Sequence, residues 1–128
     1  MKLLGIGTDI VNVKRLTKSI KKNKKFLKRV FSKNEIKYCS KKKTKFNCFA
    51  KRFAAKESFS KALGIGISTG LSFNEIEVLN NKKGKPHINL KGKSLKTVNK
   101  LYKKKIKVFL SLSDESNYAI ACVFIYQW

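Results

Sequence analysis

Residues 46–63 have the sequence FNCFAKRFAAKESFSKAL, which determines the fold more strongly than any other stretch of the chain. Aromatic and small apolar residues recur in it at helical spacing, and neither Gly nor Pro interrupts it. This pattern predicts a long helix. Gly64 follows directly, and glycine is the usual residue just past a helix end. We therefore expect a long central helix that ends at Leu63.

The segments before this helix predict one strand and several shorter helices. Residues 3–11, LLGIGTDIV, form an apolar and β-branched run that predicts a strand. Glycines at positions 5 and 7 indicate that a neighbouring element approaches this strand closely. Ser32 and Glu35 have the spacing of a capping box, which gives Glu35 a structural role at a helix start. The expected helices cover residues 13–22, 26–31 and 32–43.

The segments after the central helix predict strands that pair as hairpins. The grouping of helices and the short connections between strands are typical of an α+β fold. We expect one domain over residues 1–128, with a mostly antiparallel sheet packed against the long central helix. The expected strands are 72–79, a short strand at Ile88 and Leu90, 106–113 and 118–126; turns cover 80–86 and 114–117, and a short helix covers 93–102.

The charge balance of the chain is strongly positive. Lys and Arg total 31 against 7 Asp and Glu, for a formal net charge of +24. Such a surface attracts nucleic acid, an anionic membrane, an acidic protein or a phosphorylated small molecule. The alternative is compositional drift toward lysine in an AT-rich genome, which would produce the same excess without any binding role. The scarcity of acids is more informative, because each carboxylate becomes a candidate for a specific task.

Cysteine usage and hydropathy bear on the cellular compartment. The 3 cysteines are odd in number and lack CxxC spacing, which argues against a disulfide framework and against a zinc site. We therefore expect a reducing, cytoplasmic environment. The N-terminal apolar run is too short for a signal peptide, and no run approaches the ~20 residues that span a bilayer.

Asp9 and Glu57 are the acids whose positions most suggest chemistry. Asp9 lies inside an apolar strand, where a carboxylate is costly unless a cation or hydrogen bonds satisfy it; its alternative role is to terminate the strand. Glu57 lies in the central helix four residues before Lys61, and the alternative for this pair is a solvent-exposed ion pair.

Two such carboxylates can hold Mg²⁺ while substrate phosphates complete its octahedron. Lys61 can direct a positive charge at those phosphates, and Gly64 and Gly66 allow backbone amides to approach them.

Two motifs give the chain a resemblance to a known family. Residues 5–11, GIGTDIV, and residues 52–64, RFAAKESFSKALG, are similar to the two signatures of the holo-acyl-carrier-protein synthases, the small phosphopantetheinyl transferases. The separation of the motifs, the Gly84-Lys85-Pro86 turn and the chain length agree with this resemblance, which covers essentially the whole chain. It implies a cytoplasmic enzyme of fatty acid biosynthesis. Such an enzyme transfers 4′-phosphopantetheine from coenzyme A to a serine of an acidic apo-acyl-carrier protein and releases adenosine 3′,5′-bisphosphate.

The resemblance also implies a set of site residues. Asp9 and Glu57 correspond to magnesium-binding acids, and Lys61 corresponds to the lysine that contacts coenzyme A phosphates. The family acts as a trimer whose active sites are shared between adjacent subunits. Coenzyme A contacts are expected from Lys61, Gly64, Gly66 and Arg52, catalytic roles from Glu57 and Lys61, and carrier-protein docking from Arg15, Lys25 and Arg29.

Two groups are candidates for the general base that accepts the proton of the substrate serine. Asp114 stands where many members of the family have a histidine, and the only histidine, His87, follows the Gly-Lys-Pro turn and is not a substitute. Serine needs a proton acceptor to become nucleophilic. Glu57 and a metal-bound water are the two candidates.

The main competing interpretation is a small basic nucleic-acid-binding protein. The charge fits it, but the lysines are scattered through every segment and no nucleic-acid-binding module signature is present. A purely structural partner-binding domain leaves Asp9 and the Glu57–Lys61 pair without a purpose. We expect neither nucleic acid nor membrane among the partners.

Overall fold

The computed structural model describes residues 1–128 and contains five helices and five strands. The central helix runs from Lys45 to Leu63, and Gly64 closes it in the left-handed conformation with φ of 76°. Both features agree with the sequence-based expectation. The elements in chain order are β1 (Lys2–Asn12), α1 (Val13–Lys22), α2 (Lys24–Val30), α3 (Lys33–Ser40), α4 (Lys45–Leu63), β2 (Ile76–Asn80), β3 (Pro86–Leu90), α5 (Gly92–Leu101), β4 (Ile106–Glu115) and β5 (Tyr118–Gln127).

The strands form two antiparallel sheets. One has three strands in the order β1-β5-β4, and the other is the β2–β3 hairpin. Helix α4 packs against β1 and β5 of the larger sheet. The expected α+β class is therefore confirmed. No helix is long and apolar enough to cross a membrane.

Two glycines bring β1 into direct contact with α4. A Cβ atom added to Gly7 would lie 1.8 Å from the carbonyl oxygen of Ser58, and one added to Gly5 would lie 1.9 Å from that of Ala62. The close approach expected at both positions is confirmed. Because side chains alternate along a strand, Asp9 lies on the same side of β1 as Gly7 and therefore faces α4.

The larger sheet has one covered face and one open face. Alternate residues of β5, from Ala119 to Ile125, are buried against α4. The opposite face, here called the outer sheet face, exposes large apolar side chains. Its members are Leu3, Ile6 and Ile10 on β1, Phe109 on β4, and Tyr118 and Ile120 on β5.

The shorter helices follow the expected pattern with small shifts. Asn12 caps α1 by accepting a hydrogen bond from the Arg15 N–H. Ser32 and Glu35 form the predicted capping box at the start of α3. That helix ends at Ser40, before the expected residue 43, because a turn then redirects the chain into α4.

Two expected boundaries near the strands need correction. Residues 73–75 form a 3-10 turn, so the strand expected from residue 72 begins only at Ile76. The reason is that Glu75 turns away from the sheet and accepts hydrogen bonds from the Lys93 and Ser94 N–H groups at the start of α5. The final hairpin is tighter than expected, since β4 continues to Glu115 and Tyr118 begins β5.

The cysteine count argued against a disulfide framework and did not predict the one disulfide of this structure. Cys39, near the end of α3, is bonded to Cys48 in the first turn of α4, with the two Cα atoms 5.5 Å apart. A short connection folds α4 back beside α3, which brings together two cysteines that are nine residues apart in sequence. Cys122 is the remaining free cysteine.

Candidate active site

Lys61, in the second sequence motif, forms an ion pair with Asp9, in the first. The Lys61 Nζ lies 3.2 Å from the Asp9 Oδ1 and donates a second hydrogen bond, of 3.0 Å, to the Thr8 carbonyl oxygen. The Asp9 side chain is mostly buried, at 18% exposure, whereas that of Lys61 is 54% exposed. The ammonium group can therefore move toward a ligand while the carboxylate stays in place.

Glu57 shares a cleft with Asp9. Both acids line a cavity of about 360 Å³ that also includes Arg15, Phe26 and Phe53, here called the Asp9 cleft. Burial raises the pKa of the Glu57 carboxyl above its ordinary value, the negative charge of Asp9 raises it further, and Lys61 opposes both effects. Two acids from distant parts of the sequence thus come close enough to repel each other.

The donor set of the Asp9 cleft limits the metal that it can hold. No group of three or more Asp, Glu, His or Cys side chains is arranged to bind an ion anywhere in the chain. Asp9 and Glu57 therefore offer two carboxylates, which is the protein contribution typical of Mg²⁺ sites where phosphates and water complete the shell. A divalent cation between them would also relieve the repulsion that raises the pKa of Glu57.

The residues expected to dock a carrier protein lie beside this cleft or on the next helix. Arg15 on α1 is exposed and lines the Asp9 cleft. Lys25 and Arg29 are exposed on α2. These side chains present positive charge to solvent, and none of them forms an ion pair within the chain.

Arg52 lies on a different side of α4. It precedes Lys61 by nine residues, which is about two and a half helical turns, so the two side chains point in opposite directions. Its guanidinium group is buried, lies 4.6 Å from the centre of the Tyr38 ring, and donates to the Asn80 side chain. Its Nε has no hydrogen-bond partner.

Arg52 lines a second cavity of about 480 Å³, here called the Arg52 cleft. The cavity is also lined by Lys42, Lys51, Cys48 and Lys85.

The two loop glycines differ in what their amides can do. The Gly64 N–H already donates to the carbonyl oxygens of Ser60 and Lys61 at the helix end. The Gly66 N–H donates to no backbone carbonyl, and the residue is exposed. Gly66 is therefore the better placed of the two to donate to a phosphate.

Asp114 has a clear local role. Its carboxylate accepts a hydrogen bond of 3.0 Å from the Asn47 side chain and lies 3.2 Å from the Lys51 Nζ. It does not line the Asp9 cleft. Asp114 thus links β4 to the N-terminal half of α4.

Sequence reasoning missed Lys56, the neighbour of Glu57. Its ammonium group is fully buried and donates to the Glu35 carboxylate and to the carbonyl oxygens of Phe73 and Ile76, each at 2.8 Å. Burial lowers the pKa of Lys56 to about 8, and the Glu35 carboxylate opposes this shift. The available signal was spacing, because Lys56 follows Phe49 by seven residues and precedes Phe59 by three, which places it on the buried face of α4.

Comparison with known proteins decides the family. Residues 5–123 match the model of the 4′-phosphopantetheinyl transferase superfamily. The chain belongs to this superfamily. The resemblance inferred from the GIGTDIV and RFAAKESFSKALG motifs is thereby confirmed.

Relatives within the superfamily align with almost the whole chain. A holo-[acyl-carrier-protein] synthase of Pelagibacter ubique is 48% identical over 126 residues, which is 98% of each protein. The crystal structure of the Neisseria meningitidis holo-[acyl-carrier-protein] synthase superposes with a TM-score of 0.86 at 36% identity, covering 98% of this chain and 99% of that one. A Bacillus anthracis synthase, solved in complex with coenzyme A (3′,5′-ADP), superposes with a TM-score of 0.81 at 32% identity, covering 100% of both chains. A phosphopantetheinyl transferase with the expected fold therefore explains the sequence better than a nucleic-acid-binding module.

Proposed function

We propose that this chain is a holo-[acyl-carrier-protein] synthase. It transfers 4′-phosphopantetheine from coenzyme A to a serine of apo-acyl-carrier protein, releases adenosine 3′,5′-bisphosphate, and supports fatty acid biosynthesis in the cytoplasm. The observation that carries the proposal is that Asp9 and Glu57 line one cleft and that Lys61 contacts Asp9. The names of the aligned relatives support the same reaction.

Mg²⁺ is the proposed cofactor, held by Asp9 and Glu57. When bound, the ion supplies positive charge that stabilises the diphosphate of coenzyme A as the phosphoryl group is transferred. Two adjacent carboxylates, one with a raised pKa, fit this requirement. Lys61 then exchanges its contact with Asp9 for a substrate phosphate, which its exposed position permits.

Glu57 is the proposed acceptor of the serine proton. The serine hydroxyl attacks the phosphorus atom that carries pantetheine, and its proton must leave as the new bond forms. A carboxylate that would hold the ion through one oxygen can accept a proton on its other oxygen. Asp114 does not take this role in the proposal, because Lys51 and Asn47 already occupy its carboxylate.

The coenzyme A site is proposed to lie between subunits of a homotrimer. Arg52 and Lys61 point to opposite sides of α4, so both contact the same nucleotide only if Arg52 comes from a neighbouring copy. The open outer sheet face supports such an assembly, since Ile6 is 55% exposed, Ile10 is 64% exposed and Tyr118 is 51% exposed. Exposed apolar surfaces of this kind are typical of protein interfaces.

The carrier protein is proposed to dock on α1 and α2. Arg15 lies at the rim of the Asp9 cleft, and Lys25 and Arg29 extend the positive surface along α2. An acidic helix placed there would bring a serine at its end close to Glu57. Complementary charge of this kind accelerates association and weakens as salt is added.

The experiment that tests the proposed function is mass spectrometry of a purified apo-acyl-carrier protein after incubation with this enzyme, coenzyme A and Mg²⁺. We expect the carrier protein to gain the mass of one phosphopantetheine group, and omission of Mg²⁺ to prevent the gain. A carrier protein that stays unmodified at high enzyme concentration would contradict the proposal. Tight, steeply salt-dependent RNA binding in the same preparation would favour the nucleic-acid alternative.

A further inference from the structure

The Cys39–Cys48 disulfide lies directly beneath the Arg52 cleft. Cys39 is fully buried, whereas Cys48 keeps 6% exposure and contributes to the lining of the cleft. The Nη1 of Arg52 lies 3.3 Å from the Cys48 Sγ and 3.4 Å from the Cys48 carbonyl oxygen. Cys48 is thus the cysteine of the pair that lines the cleft, and its sulfur lies beside a guanidinium group.

The cleft that leads to this sulfur is positively charged. Lys42, Lys51 and Lys85 line it with Arg52, and it contains no acidic side chain. An anionic thiol such as glutathione is attracted to such a cleft. The Arg52 guanidinium also favours the thiolate form of a thiol that enters the cleft, and the thiolate is the form that attacks a disulfide.

We propose that Cys39–Cys48 is a thiol–disulfide exchange site for small anionic thiols, and that its redox state controls phosphate binding at Arg52. In the first step a thiolate of the small molecule attacks the Cys48 Sγ, the Cys39–Cys48 bond breaks, and Cys39 leaves and takes up the proton lost by the attacking thiol. In the second step another small thiol attacks the sulfur of the bound small molecule. It releases Cys48 as a thiolate and yields the oxidised small-molecule disulfide, so the protein gains two electrons and one proton from two thiols, and the proton of the second thiol passes to solvent.

The consequence for phosphate binding follows from the contact between Arg52 and Cys48. In the oxidised protein the guanidinium faces a neutral disulfide, so no thiolate competes with an anion in the cleft for its positive charge. In the reduced protein a Cys48 thiolate pairs with the guanidinium and competes with phosphate for its charge. A disulfide in a cytoplasmic protein is usually redox-sensing or catalytic. This part of the inference rests on the proposed function, in which Arg52 contacts coenzyme A.

The exchange is tested on the Cys122→Ser protein, in which only the pair can react. Native protein is equilibrated with glutathione redox buffers, quenched with acid, alkylated and mapped by mass spectrometry. We expect glutathione on Cys48 and not on Cys39 at intermediate ratios, and two free thiols at the reducing end. Glutathione found on Cys39, or thiols that appear only in denaturant, would overturn the assignment.

A charge-reversal variant tests the role of the cleft. Lys85→Glu is expected to slow reduction by glutathione by about tenfold, while reduction by uncharged 2-mercaptoethanol keeps its rate. Equal slowing with both thiols, or no slowing with glutathione, would overturn the role of the positive charge of the cleft.

The coupling is tested with adenosine 3′,5′-bisphosphate, which lacks the thiol of coenzyme A and cannot itself exchange. Calorimetry is performed on oxidised protein and on protein reduced with a phosphine. We expect the Kd to rise by about fivefold on reduction, and the Cys39→Ser/Cys48→Ser protein to bind like the oxidised form with or without reductant. Equal affinity of both redox forms would overturn the coupling while leaving the proposed function intact. Absence of binding to either form would contradict the coenzyme A site itself, and the mapping experiment would still decide the exchange.

Discussion

The Lys61 ammonium group on α4 lies 3.2 Å from the Asp9 carboxylate on β1, although the two residues are 52 positions apart in the sequence. The contact is possible because Gly5 and Gly7 let β1 lie directly on the backbone of α4. A helix lysine is thereby fixed beside a strand acid that lines the Asp9 cleft.

Replacement of Asp9 by asparagine should abolish transfer without unfolding the protein. The substitution keeps the size of the side chain but removes the charge that attracts Lys61 and Mg²⁺, so we expect kcat to fall by about 100-fold or more. Initial rates of carrier-protein modification measure the effect, and circular dichroism monitors the fold. Glu115→Gln is the matched control, since Glu115 is exposed and lies outside both clefts; a similar loss in this variant would refute a specific role for Asp9.

The metal-free protein should show the raised pKa of Glu57. Because burial and the charge of Asp9 raise this pKa, the Glu57 carboxyl should titrate at a higher pH than an ordinary glutamate, and added Mg²⁺ should move the titration to lower pH. Carboxyl NMR titration without and with Mg²⁺ measures both effects. In Asp9→Asn the Glu57 titration should move to lower pH, because one cause of the shift is removed. An unchanged titration would mean that the two carboxylates do not interact.

The raised pKa also predicts an effect on stability. A carboxyl group whose pKa is higher in the folded than in the unfolded state costs stability once the pH exceeds its unfolded pKa. Glu57→Gln should therefore unfold at a higher denaturant concentration than wild type at pH 7, even though it is inactive. At pH values below the ordinary glutamate pKa the difference should vanish, and a difference that persists there would contradict the electrostatic origin.

Gly7→Ala should disrupt the contact that positions the site. The added Cβ atom would lie 1.8 Å from the Ser58 carbonyl oxygen, so β1 and α4 must separate. Overpacking of a core costs typically 1–3 kcal/mol, and we expect a loss of about 3 kcal/mol because backbone atoms rather than a flexible side chain must move. Urea denaturation measures the change. Gly66→Ala is the control, since its nearest contact is 3.9 Å away; equal destabilisation of both variants would contradict the close-approach argument.

Arg15→Glu should impair recognition of the carrier protein while sparing coenzyme A. The side chain is exposed at the rim of the Asp9 cleft, where reversal of its charge repels an acidic partner. We expect the KM for carrier protein to rise by about tenfold and the KM for coenzyme A to stay within about twofold. Lys103→Glu, on the exposed segment before β4, is a charge-matched control. If Arg15→Glu raises both KM values equally, the residue does not belong to the docking surface.

Much of the fold could be predicted from the sequence because its local signals agree with its tertiary contacts. The uninterrupted helical pattern of residues 46–63, the capping box at Ser32 and the terminating Gly64 each correspond to an observed feature. The paired glycines of β1 also predicted correctly that a neighbour approaches closely. The strand expected from residue 72 was wrong at its start, since Glu75 is recruited to cap α5, a contact with residues far along the chain.

The site could be predicted only in part, and the reason is that helix faces are filled by tertiary contacts. The motif placed Asp9, Glu57 and Lys61 correctly in one neighbourhood. We expected no burial of Lys56 or Arg52, because a charged residue in a helix ordinarily faces solvent. For Lys56 the spacing from Phe49 and Phe59 was the available signal. The Cys39–Cys48 bond was missed for a similar reason, as it depends on how α3 and α4 fold back on each other.

The most direct test of the proposed site is a crystal structure with Mn²⁺ and coenzyme A, examined by anomalous scattering. We predict one strong anomalous peak within coordination distance of carboxylate oxygens of both Asp9 and Glu57 and in contact with the coenzyme A diphosphate, with Lys61 turned toward the same phosphates. A peak that touches neither acid, or a diphosphate bound away from the cleft with no metal beside it, would contradict the proposed metal site.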